Sequence, residues 1–347
     1  MKKPILIAST TFDEHAWGPV SRLLEESGNT VVVYRTDRLL TGQDQFVIDL
    51  RDEAPVMTYN GISILPENIG AAWYRKVGSF GLSDADSQLA KQLYMNNEVR
   101  ALHDTIWPQF YPEDIWLSSP GKIARADRKL GQLLAARNIG FSVPGTIVSS
   151  DWQAIGSMLL AGEDSQIIVK MMRGLISDGN QVKAMPTTIL NRPKVTDIKA
   201  YTSPFPGLYQ PYIDKAREWR VTVVGSDVFP VAIYTDSSAK DDWRIHQNSG
   251  AVRFKKGKLP DGIEELCLRY LQDMGLGFGA FDLVERPNGE VVFLECNPNG
   301  QYGWLEDDLG LPISQAIARE LANIGRKRLG HDPWPGGELE SVDDLAT

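Results

Sequence analysis

The chain has 347 residues, of which 42% are hydrophobic and 23% are charged, a balance typical of a globular protein with room for two or three lobes. Asp and Glu total 45 against 36 Lys and Arg, and the resulting net charge of −9 argues against broad electrostatic binding of nucleic acid. There are only two cysteines, without metal-type spacing, and no apolar run approaches the ~20 residues of a membrane span. We therefore expect a cytoplasmic protein without nucleic-acid or membrane partners.

The first part of the chain is predicted to form an α/β lobe over residues 1–120. Short apolar runs predict strands at 5–8, 30–34 and 71–74, with a helix at 18–27 between the first two. A long helix is predicted at 84–106, followed by an aromatic, proline-rich surface connection at 107–120.

Two further lobes are predicted, a central α/β lobe at 121–207 and a strand-rich lobe at 208–330. The central lobe has a predicted helix at 124–138, strands at 146–148 and 167–171, and an irregular segment at 173–179. The strand-rich lobe includes helices at 263–274 and 312–326, and residues 331–347 form an acidic tail. The expected fold class is therefore α/β with three lobes.

The most informative stretch is a predicted hairpin, 281–306, with a turn around Asn288-Gly289. A two-residue turn places Asp282 opposite Glu295, whereas a four-residue loop makes these two residues diagonal. Either register leaves Asp282, Glu295 and Asn297 on one face, because alternate side chains of a strand share a face.

Two carboxylates and an amide oxygen are ligands that Mg²⁺ accepts, with nucleotide phosphates and water completing its shell. A solvated polar face on an antiparallel hairpin is the alternative, and alternation alone does not decide between them.

Two lysines are candidate phosphate ligands. Lys170 ends a buried strand before a glycine-containing segment, and Lys129 lies on the helix at 124–138. A solvated surface charge is the commoner role for a single lysine. The chain has no GxxxxGK[ST] sequence and no GxGxxG after its first strand, which argues against a P-loop and a dinucleotide-binding lobe.

Residues 208–213 form a strand that ends in an aromatic and proline edge, and the backbone there could contact an adenine ring. Proline cannot donate to a strand ladder, so Gln210, Pro211, Tyr212 and Ile213 are expected at an edge or a crossing. An ordinary edge strand fits this pattern equally well.

A second polar cluster is predicted from Arg220, Arg244 and His246. Arg220 follows Glu218 at the start of a strand, and Arg244 and His246 alternate with Asn248 in a run that would share one face if extended. Such a cluster suits an anionic substrate or a transferring phosphoryl group. As isolated residues, they would be surface or structural.

Taken in chain order, these residues resemble the ATP-grasp superfamily: two lysines, an edge segment, an arginine strand, then D…E-x-N. A closer resemblance is to the microviridin-type ATP-grasp peptide ligases, also called graspetide synthetases. It is carried by AWYRK at 72–76, by LSSP at 117–120 with GFSVPGT at 140–146, and by LECNPNGQYGWLE at 294–306. E-x-N-P is shared across ATP-grasp enzymes, whereas G-Q-aromatic-x-W is much narrower.

The match is not complete. Lys76 stands where the family motif has a second arginine, and Tyr302 and Gly303 depart from its aromatic pattern.

The resemblance implies a three-lobed ATP-grasp fold with an N-terminal pre-grasp lobe, a central α/β lobe and a C-terminal antiparallel-sheet lobe. It implies an ATP-dependent ligase that macrocyclises a ribosomally made precursor peptide. A side-chain carboxylate would attack the γ-phosphate to give an acylphosphate and ADP, and a Ser or Thr hydroxyl or a Lys amine would then form an ester or an amide. The implied partners are a precursor peptide with a leader segment and a second copy of the chain in a homodimer.

The resemblance also implies site roles. Asp282, Glu295 and Asn297 would bind Mg²⁺, and Lys129 and Lys170 would hold the phosphates of ATP. The adenine would lie against Gln210, Pro211, Tyr212 and Ile213, with Glu218 at the ribose. Arg220, Arg244 and His246 form the implied catalytic group, the two arginines steadying the transferring phosphoryl group or the substrate carboxylate.

Two other functions remain open. A glutamate-ligase-like enzyme would add a free amino acid to a small acid or a protein tail with the same nucleotide machinery, but residues 300–304 favour the macrocyclising ligase. A nucleotide-binding regulatory protein without catalysis would not need the carboxylates, lysines and arginines that this chain retains.

Overall fold

The computed structural model describes residues 2–77, 86–159, 166–170, 172, 175–178, 181–184, 188–191, 206–236 and 251–330. Arg244, His246 and the predicted acidic tail at 331–347 lie outside the described residues.

The strands of the described residues, in chain order, are β1 (Ile5–Ser9), β2 (Val31–Arg35), β3 (Phe46–Asp49), β4 (Val56–Tyr59), β5 (Ile62–Ser63), β6 (Ala71–Tyr74), β7 (Ile147–Ser149), β8 (Gln166–Lys170), β9 (Leu175–Asp178), β10 (Gln181–Ala184), β11 (Thr188–Asn191), β12 (Gly207–Pro211), β13 (Arg217–Val224), β14 (Asp227–Thr235), β15 (Val252–Lys256), β16 (Phe278–Glu285) and β17 (Val291–Asn297). The α-helices are α1 (Glu14–Glu26), α2 (Thr36–Leu40), α3 (Asp86–Phe110), α4 (Pro120–Ala126), α5 (Lys129–Ile139), α6 (Trp152–Leu159), α7 (Ile263–Met274), α8 (Gly303–Leu309) and α9 (Ile313–Arg328).

The N-terminal lobe is built on a parallel sheet with strand order β2-β1-β6. All five residues of β1 are buried, as expected for the central strand of a parallel sheet covered on both faces. The predicted β-α-β start is thus confirmed, although α1 begins at Glu14 rather than at residue 18, directly after a 3-10 helix at Thr11–Asp13. A small antiparallel sheet of order β3-β4-β5, which the sequence analysis did not predict, completes this lobe.

The predicted surface connection at 107–120 is wrong, because buried residues occur along most of this segment. Helix α3 continues to Phe110, and Trp107, Tyr111, Ile115 and Trp116 are all buried. The rings of Trp107, Tyr111 and Trp116 pack edge-on and tilted against one another at centroid distances of 5.1 to 5.6 Å, so this segment is core rather than surface.

The central helix predicted at 124–138 is two helices, α4 and α5, separated at Asp127 and Arg128. Because of this break, Lys129 becomes the first residue of α5 instead of lying within a helix. The segment predicted as irregular at 173–179 includes β9, which pairs with β10 in an antiparallel hairpin.

The central sheet is antiparallel, with strand order β11-β8-β12-β7. One face packs on α6, where Ile155, Ile167 and Tyr209 form a small buried cluster. Strand β12 is an inner strand, contrary to the predicted edge, but β7 pairs only with residues 207–209 and leaves Gln210 and Pro211 beside β8 alone.

The C-terminal sheet has strand order β15-β14-β13-β16-β17, and every neighbouring pair is antiparallel. On one face, Val224, Phe229 and Phe278 pack in the same cluster as residues of α1 and α9. On the other, Val221, Phe281 and Phe293 pack with residues of α5 and α7. The sheet therefore joins the N-terminal lobe on one side to the helices of the central and C-terminal lobes on the other.

No helix in the described part of the chain is both long enough and apolar enough to cross a membrane.

Candidate active site

The three predicted metal ligands meet on neighbouring strands of the C-terminal sheet. Asp282 of β16 lies directly opposite Glu295 of β17, and Asn297 lies opposite Ala280. The Asn297 amide donates to Asp282 Oδ2 at 3.4 Å and to Glu295 Oε1 at 3.3 Å. The structure thus brings together the two carboxylates and the amide that the sequence pattern placed on one face.

A β-bulge produces this pairing, and neither predicted turn does. Nearer the turn, Leu283 pairs with Phe293, and the register shifts by one residue before Asp282. If the turn-side register continued, Asp282 would face Leu294, and Glu295 would point to the opposite face of the sheet. Leu294 is the extra residue of the bulge, and it turns Glu295 toward Asp282.

The turn itself is a three-residue loop. Arg286 N–H donates to the carbonyl of Glu290, and Gly289 within the loop has φ of +86°, which favours glycine.

Arg220 holds Asp282 in place. It lies opposite Asp282 in the β13–β16 ladder, and its Nη1 donates to Asp282 Oδ1 at 2.9 Å. Both side chains are 7% exposed, so this is a buried ion pair. Removing either partner would leave an uncompensated buried charge, at a cost of about 3–5 kcal/mol.

The turn after β17 closes over Arg220. Arg220 Nη2 donates to the carbonyl of Gln301 at 2.9 Å. A Cβ on Gly300 would lie 2.4 Å from Ala280 Cβ and 2.8 Å from Arg220 Nη2, so only glycine fits this position. The narrow G-Q part of the motif thus has a steric and hydrogen-bonding reason.

The same turn is tied to the N-terminal lobe by Arg75, a residue of the AWYRK passage. Arg75 donates through Nη1 to the Gly300 carbonyl at 2.8 Å and through Nη2 to Gln301 Oε1 at 3.0 Å. Its Nε pairs with Asp13 Oδ2 at 2.8 Å, and both side chains are nearly inaccessible to solvent. Asn299 Nδ2 also donates to the Arg75 carbonyl at 2.8 Å.

The end of the motif stabilises the fold rather than the chemistry. Tyr302 is buried and donates to the Ala16 carbonyl at 2.8 Å, while Trp304 packs at a tilt against Phe254 with 4.6 Å between ring centroids. Glu306 accepts from the N–H and the hydroxyl of Ser314, both at 2.6 Å, and so caps the first turn of α9. Burial of Glu306 raises its pKa above the ordinary value.

Lys129 begins α5, a helix that packs against β17. Gln132, one turn further along α5, donates to the Cys296 carbonyl at 2.9 Å and accepts from the Cys296 N–H at 3.1 Å. Residues three apart on a helix lie on the same side, so Lys129 is on the side of α5 that faces β17. Cys296 itself is fully buried, which agrees with the core role predicted for it.

Lys170 and Gln210 share one face of the central sheet. Lys170 pairs with Leu208 and Gln210 pairs with Ile168, so these side chains project away from the face that packs on α6. Gln210 is 1% exposed; its Nε2 donates to Thr146 Oγ1 at 3.0 Å, but its Oε1 has no partner among the described residues. A buried acceptor without a donor is what an adenine amino group would satisfy.

The other described residues of the predicted adenine and ribose sites lie along β12, after it and at the start of β13. Pro211 pairs with Ile167, the Tyr212 N–H donates to the Gln166 carbonyl at 2.8 Å, and Ile213 follows half-buried. Glu218 lies two residues before Arg220 on β13 and pairs with Lys215.

Sequence reasoning missed the roles of Arg75, Asp13 and Gln301. The available signal was the predicted parallel sheet, since Asp13 follows β1 and Arg75 follows the neighbouring β6. The carboxyl ends of adjacent parallel strands meet at one sheet edge, where such residues are brought together.

The residues present fit a magnesium nucleotide. Asp282, Glu295 and Asn297 offer hard oxygen ligands. Proteins usually bind Mg²⁺ through one or two carboxylates, and nucleotide phosphate oxygens and water complete its coordination shell. No group of three or more His, Cys, Asp or Glu that could hold a metal occurs in the described part of the chain.

Neither a protein-family model nor a curated relative matches this sequence, whereas solved structures match nearly all of it. A Chryseobacterium gregarium RiPP-associated ATP-grasp ligase, in complex with ADP and a leader and core peptide, is 25% identical, with a TM-score of 0.79 over 92% of this chain and 96% of that chain. The macrocyclase MdnC from Microcystis aeruginosa MRC, bound with precursor peptide MdnA, is 27% identical, with a TM-score of 0.76 over 92% of this chain and 99% of that one.

A third structure, the ATP-grasp ligase PsnB complexed with a phosphomimetic variant of its minimal precursor, Mg and ADP, is 20% identical, with a TM-score of 0.74 over 94% of this chain and 100% of that chain. It supports the fold alone. Together these similarities confirm the predicted α/β ATP-grasp fold class and the predicted resemblance to RiPP-associated ATP-grasp peptide ligases.

Proposed function

We propose that this chain, an ATP-dependent ligase with the ATP-grasp fold, macrocyclises a ribosomally made precursor peptide. It joins Asp or Glu side chains of the peptide to Ser or Thr as esters or to Lys as amides, with conversion of ATP to ADP and phosphate. The observation that carries the proposal is the arrangement of Asp282, Glu295, Asn297 and Arg220 under the Gly300–Gln301 turn.

Full-length similarity supports the peptide substrate. The Chryseobacterium ligase and MdnC are each solved with a precursor or leader and core peptide, and each aligns with 92% of this chain. On this basis we propose the same class of partner here, a precursor peptide with a leader segment.

The nucleotide would be held from both sheets. Lys170 and Gln210 offer a cation and a buried acceptor on the central sheet, and Lys129 offers a cation at the start of α5. Tyr212, Ile213 and Glu218 would complete the adenine and ribose sites. Mg²⁺, held by Asp282, Glu295 and Asn297, neutralises the phosphate charge when bound.

The remaining chemistry is positioning. Arg220 is held in position by Asp282 and by the Gln301 carbonyl. Its guanidinium can therefore stabilise the negative charge that develops on the transferring phosphoryl group without first changing its own position. A substrate carboxylate held there attacks the γ-phosphate and displaces ADP, which gives an acylphosphate. The hydroxyl or amine of the peptide then attacks the acyl carbon, displaces phosphate and loses its proton. Arg244 and His246 keep their predicted roles in this proposal.

The test is intact mass spectrometry of the small peptide encoded beside this gene, after incubation with the protein, ATP and Mg²⁺. We expect the peptide to lose one water mass per ring, only with ATP present. A gain of amino-acid masses would instead establish the tail-adding ligase, and an unchanged peptide with no ADP released would contradict both.

We also propose that the protein acts as a homodimer, as the resemblance implies. Light scattering measured during size-exclusion chromatography is expected to give twice the mass of the chain. A mass equal to that of one chain at assay concentration would contradict this.

A further inference from the structure

The edge strand β15 and the turn after it carry a concentration of positive charge, although the net charge of the whole chain is −9. Residues 253–258 include no acidic residue and four cations, Arg253, Lys255, Lys256 and Lys258. Lys256 is half-buried, and the other three are exposed. The open edge of the C-terminal sheet is therefore a basic surface on an acidic protein.

Most of this charge is not neutralised by neighbouring carboxylates. Arg253 pairs with Asp236 at 3.3 Å, but both side chains are largely exposed to solvent, so the pair is weak. Lys255, Lys256 and Lys258 form no ion pair within the described part of the chain. These three ammonium groups are thus available to an anionic partner.

The outer side of β15 also offers backbone groups for pairing. β15 is the last strand of its sheet, and β14 is its only strand neighbour among the described residues. At one end of β15, the Ala251 carbonyl accepts from the Asp236 N–H at 3.0 Å. At the other end, the Gly257 N–H donates to the Pro230 carbonyl at 3.2 Å. Because bonded and non-bonded pairs alternate along an antiparallel ladder, Lys256 directs its backbone N–H and C=O away from β14.

The strand register relates this edge to the candidate active site. Lys256 lies opposite Val231 of β14, and Val231 lies opposite Arg220 of β13. Residues that face each other across paired strands share a face of the sheet, so Lys256 is on the face that carries Arg220 and Asp282. A strand added beyond β15 would lie three strand spacings from β13, about 14 Å. About four or five extended residues cover that distance.

The lysines determine which kind of strand can pair here. Lysine on an edge strand discourages pairing with a second copy of the same strand, because like charges would face each other. A strand that carries Asp or Glu would instead place carboxylates beside the ammonium groups. The peptide substrate of the proposed function carries such carboxylates, because these are the groups that the enzyme joins.

We propose that β15 binds an acidic, extended segment of the substrate peptide as an added strand, within a few residues of the side chains that react. The Lys256 backbone pairs with the peptide backbone, and Lys255 and Lys256 hold carboxylates on opposite faces of the sheet. These carboxylates are distinct from the one that is activated by ATP. The inference rests on the proposed function for the identity of the partner, although the surface itself uses neither ATP nor the metal ligands.

The first experiment measures the Kd of the fluorescently labelled peptide encoded beside this gene, by anisotropy and without ATP. In the double variant Lys255→Glu/Lys256→Glu, repulsive pairs replace attractive ones, so Kd is expected to rise by about 10-fold or more. The matched control is Arg269→Glu/Lys327→Glu, which reverses two exposed charges on α7 and α9. We expect the control to bind the peptide as wild type does.

Two synthetic peptides test the chemistry of the surface without the natural substrate. A labelled peptide of alternating Glu and Thr is expected to bind wild type more tightly than its counterpart of alternating Gln and Thr. This preference should disappear in the Lys255→Glu/Lys256→Glu variant, because the ammonium groups that select carboxylates are gone.

The backbone contribution is tested at Lys256 alone. Lys256→Pro and Lys256→Gln both remove the charge, but only proline removes the outward N–H, and proline is tolerated where that N–H faces solvent. Loss of one hydrogen bond predicts a Kd about 2- to 10-fold higher for Lys256→Pro than for Lys256→Gln. In wild type, hydrogen exchange of the Lys256 amide is expected to slow when the peptide binds.

Each outcome decides the inference. It is overturned by an unchanged Kd in the double variant, by an equal loss in the control, or by equal binding of the Glu and Gln peptides. A halved molecular mass of the double variant would assign β15 to a contact between two copies and would also overturn it. If Lys256→Pro does not fold, as judged by its thermal midpoint, unchanged hydrogen exchange at Lys256 on peptide binding overturns strand addition by itself. Binding that depends on β15 but gives no ring with ATP and Mg²⁺ contradicts the proposed function alone and supports the docking surface.

Discussion

Asp282 and Glu295 face each other across two strands but differ in how deeply they are held. Asp282 is 5% exposed and paired with Arg220, whereas Glu295 is only part-buried. Glu295→Gln is therefore expected to abolish ligation with a smaller change in the free energy of unfolding, because the metal ligand that is lost occupies a part-buried position. Asp282→Asn should also abolish ligation and destabilise the protein by about 3–5 kcal/mol, because Arg220 loses its counter-ion.

The matched control is Glu290→Gln on the same hairpin, which is exposed and remote from the carboxylate pair. Ligation assays and urea titrations of the three variants test both effects. Wild-type turnover by Glu295→Gln at ordinary Mg²⁺ would show that the metal site is misassigned.

Arg75 and Asp13 form the most deeply buried ion pair of the described residues, with 0% and 3% of their side chains exposed. Arg75→Met would leave the Asp13 carboxylate unpaired and release the Gly300–Gln301 turn, so we expect a loss of about 3–5 kcal/mol in the free energy of unfolding. Arg51→Met, which breaks the exposed pair with Asp49, should change the free energy of unfolding far less. Equal urea midpoints for the two variants would contradict this structural role.

At the level of single residues, the local sequence pattern predicted only those neighbours that one hairpin brings together. Asp282, Glu295 and Asn297 lie within sixteen positions of one another on two adjacent strands, so strand alternation was sufficient to group them. Arg75 and Gln301 lie 226 positions apart, and only the packing of the N-terminal lobe on the C-terminal sheet brings them together. No local periodicity contains that information.

At the level of elements, the β-bulge shows how a correct grouping can follow from incorrect turns. The sequence allowed a loop of two or of four residues between β16 and β17, whereas the structure has a loop of three. The extra residue Leu294 then shifts the strand register so that Asp282 faces Glu295. The cause is side-chain burial: Phe293 and Cys296 both enter the core beside α5 and α7, and this requires one extra residue between them.

The cap of α9 gives a pH-dependent prediction. Burial raises the pKa of Glu306 above its ordinary value of 4.5, so between that value and the raised one the folded state keeps a proton that the unfolded state has lost. The contribution of Glu306 to stability therefore falls as pH rises through this window. Relative to wild type, Glu306→Gln should become progressively more stable over the same window, as measured by urea unfolding.

A difference between Glu306→Gln and wild type that stays constant with pH would contradict the assignment. Activity of the folded variant should be retained, because Glu306 contacts Ser314 and not the carboxylate pair.

At the level of the whole molecule, the C-terminal sheet packs against elements of the other lobes on both of its faces. Its two faces carry different clusters, one shared with α1 and α9 and the other with α5 and α7. The polar row of Arg220, Asp282 and Glu295 lies where the first of these faces meets the Gly300–Gln301 turn. The lobe boundaries at residues 120, 207 and 330 stay predictions, as do the roles of Arg244 and His246.

The whole-molecule fold was predictable because its motifs have distinct chemistry: the paired carboxylates, the E-x-N-P turn and the separated lysines. What could not be predicted is which segments are buried. The aromatic stretch from Trp107 to Trp116 has the composition of a loop, but its rings form the core of the N-terminal lobe. Trp107 packs on Tyr34 of β2, and Tyr34 packs in turn on Tyr59 of β4, so the burial depends on tertiary contacts.

The most direct test of the central claim is to label the Asp and Glu side chains of the peptide with oxygen-18 and to measure the label in the phosphate released during ligation. If a carboxylate oxygen attacks the γ-phosphate, each ring formed transfers one labelled oxygen to phosphate, and neither ring nor labelled phosphate forms with Glu295→Gln. Ligation that leaves the released phosphate unlabelled would contradict activation of the carboxylate as an acylphosphate at this site.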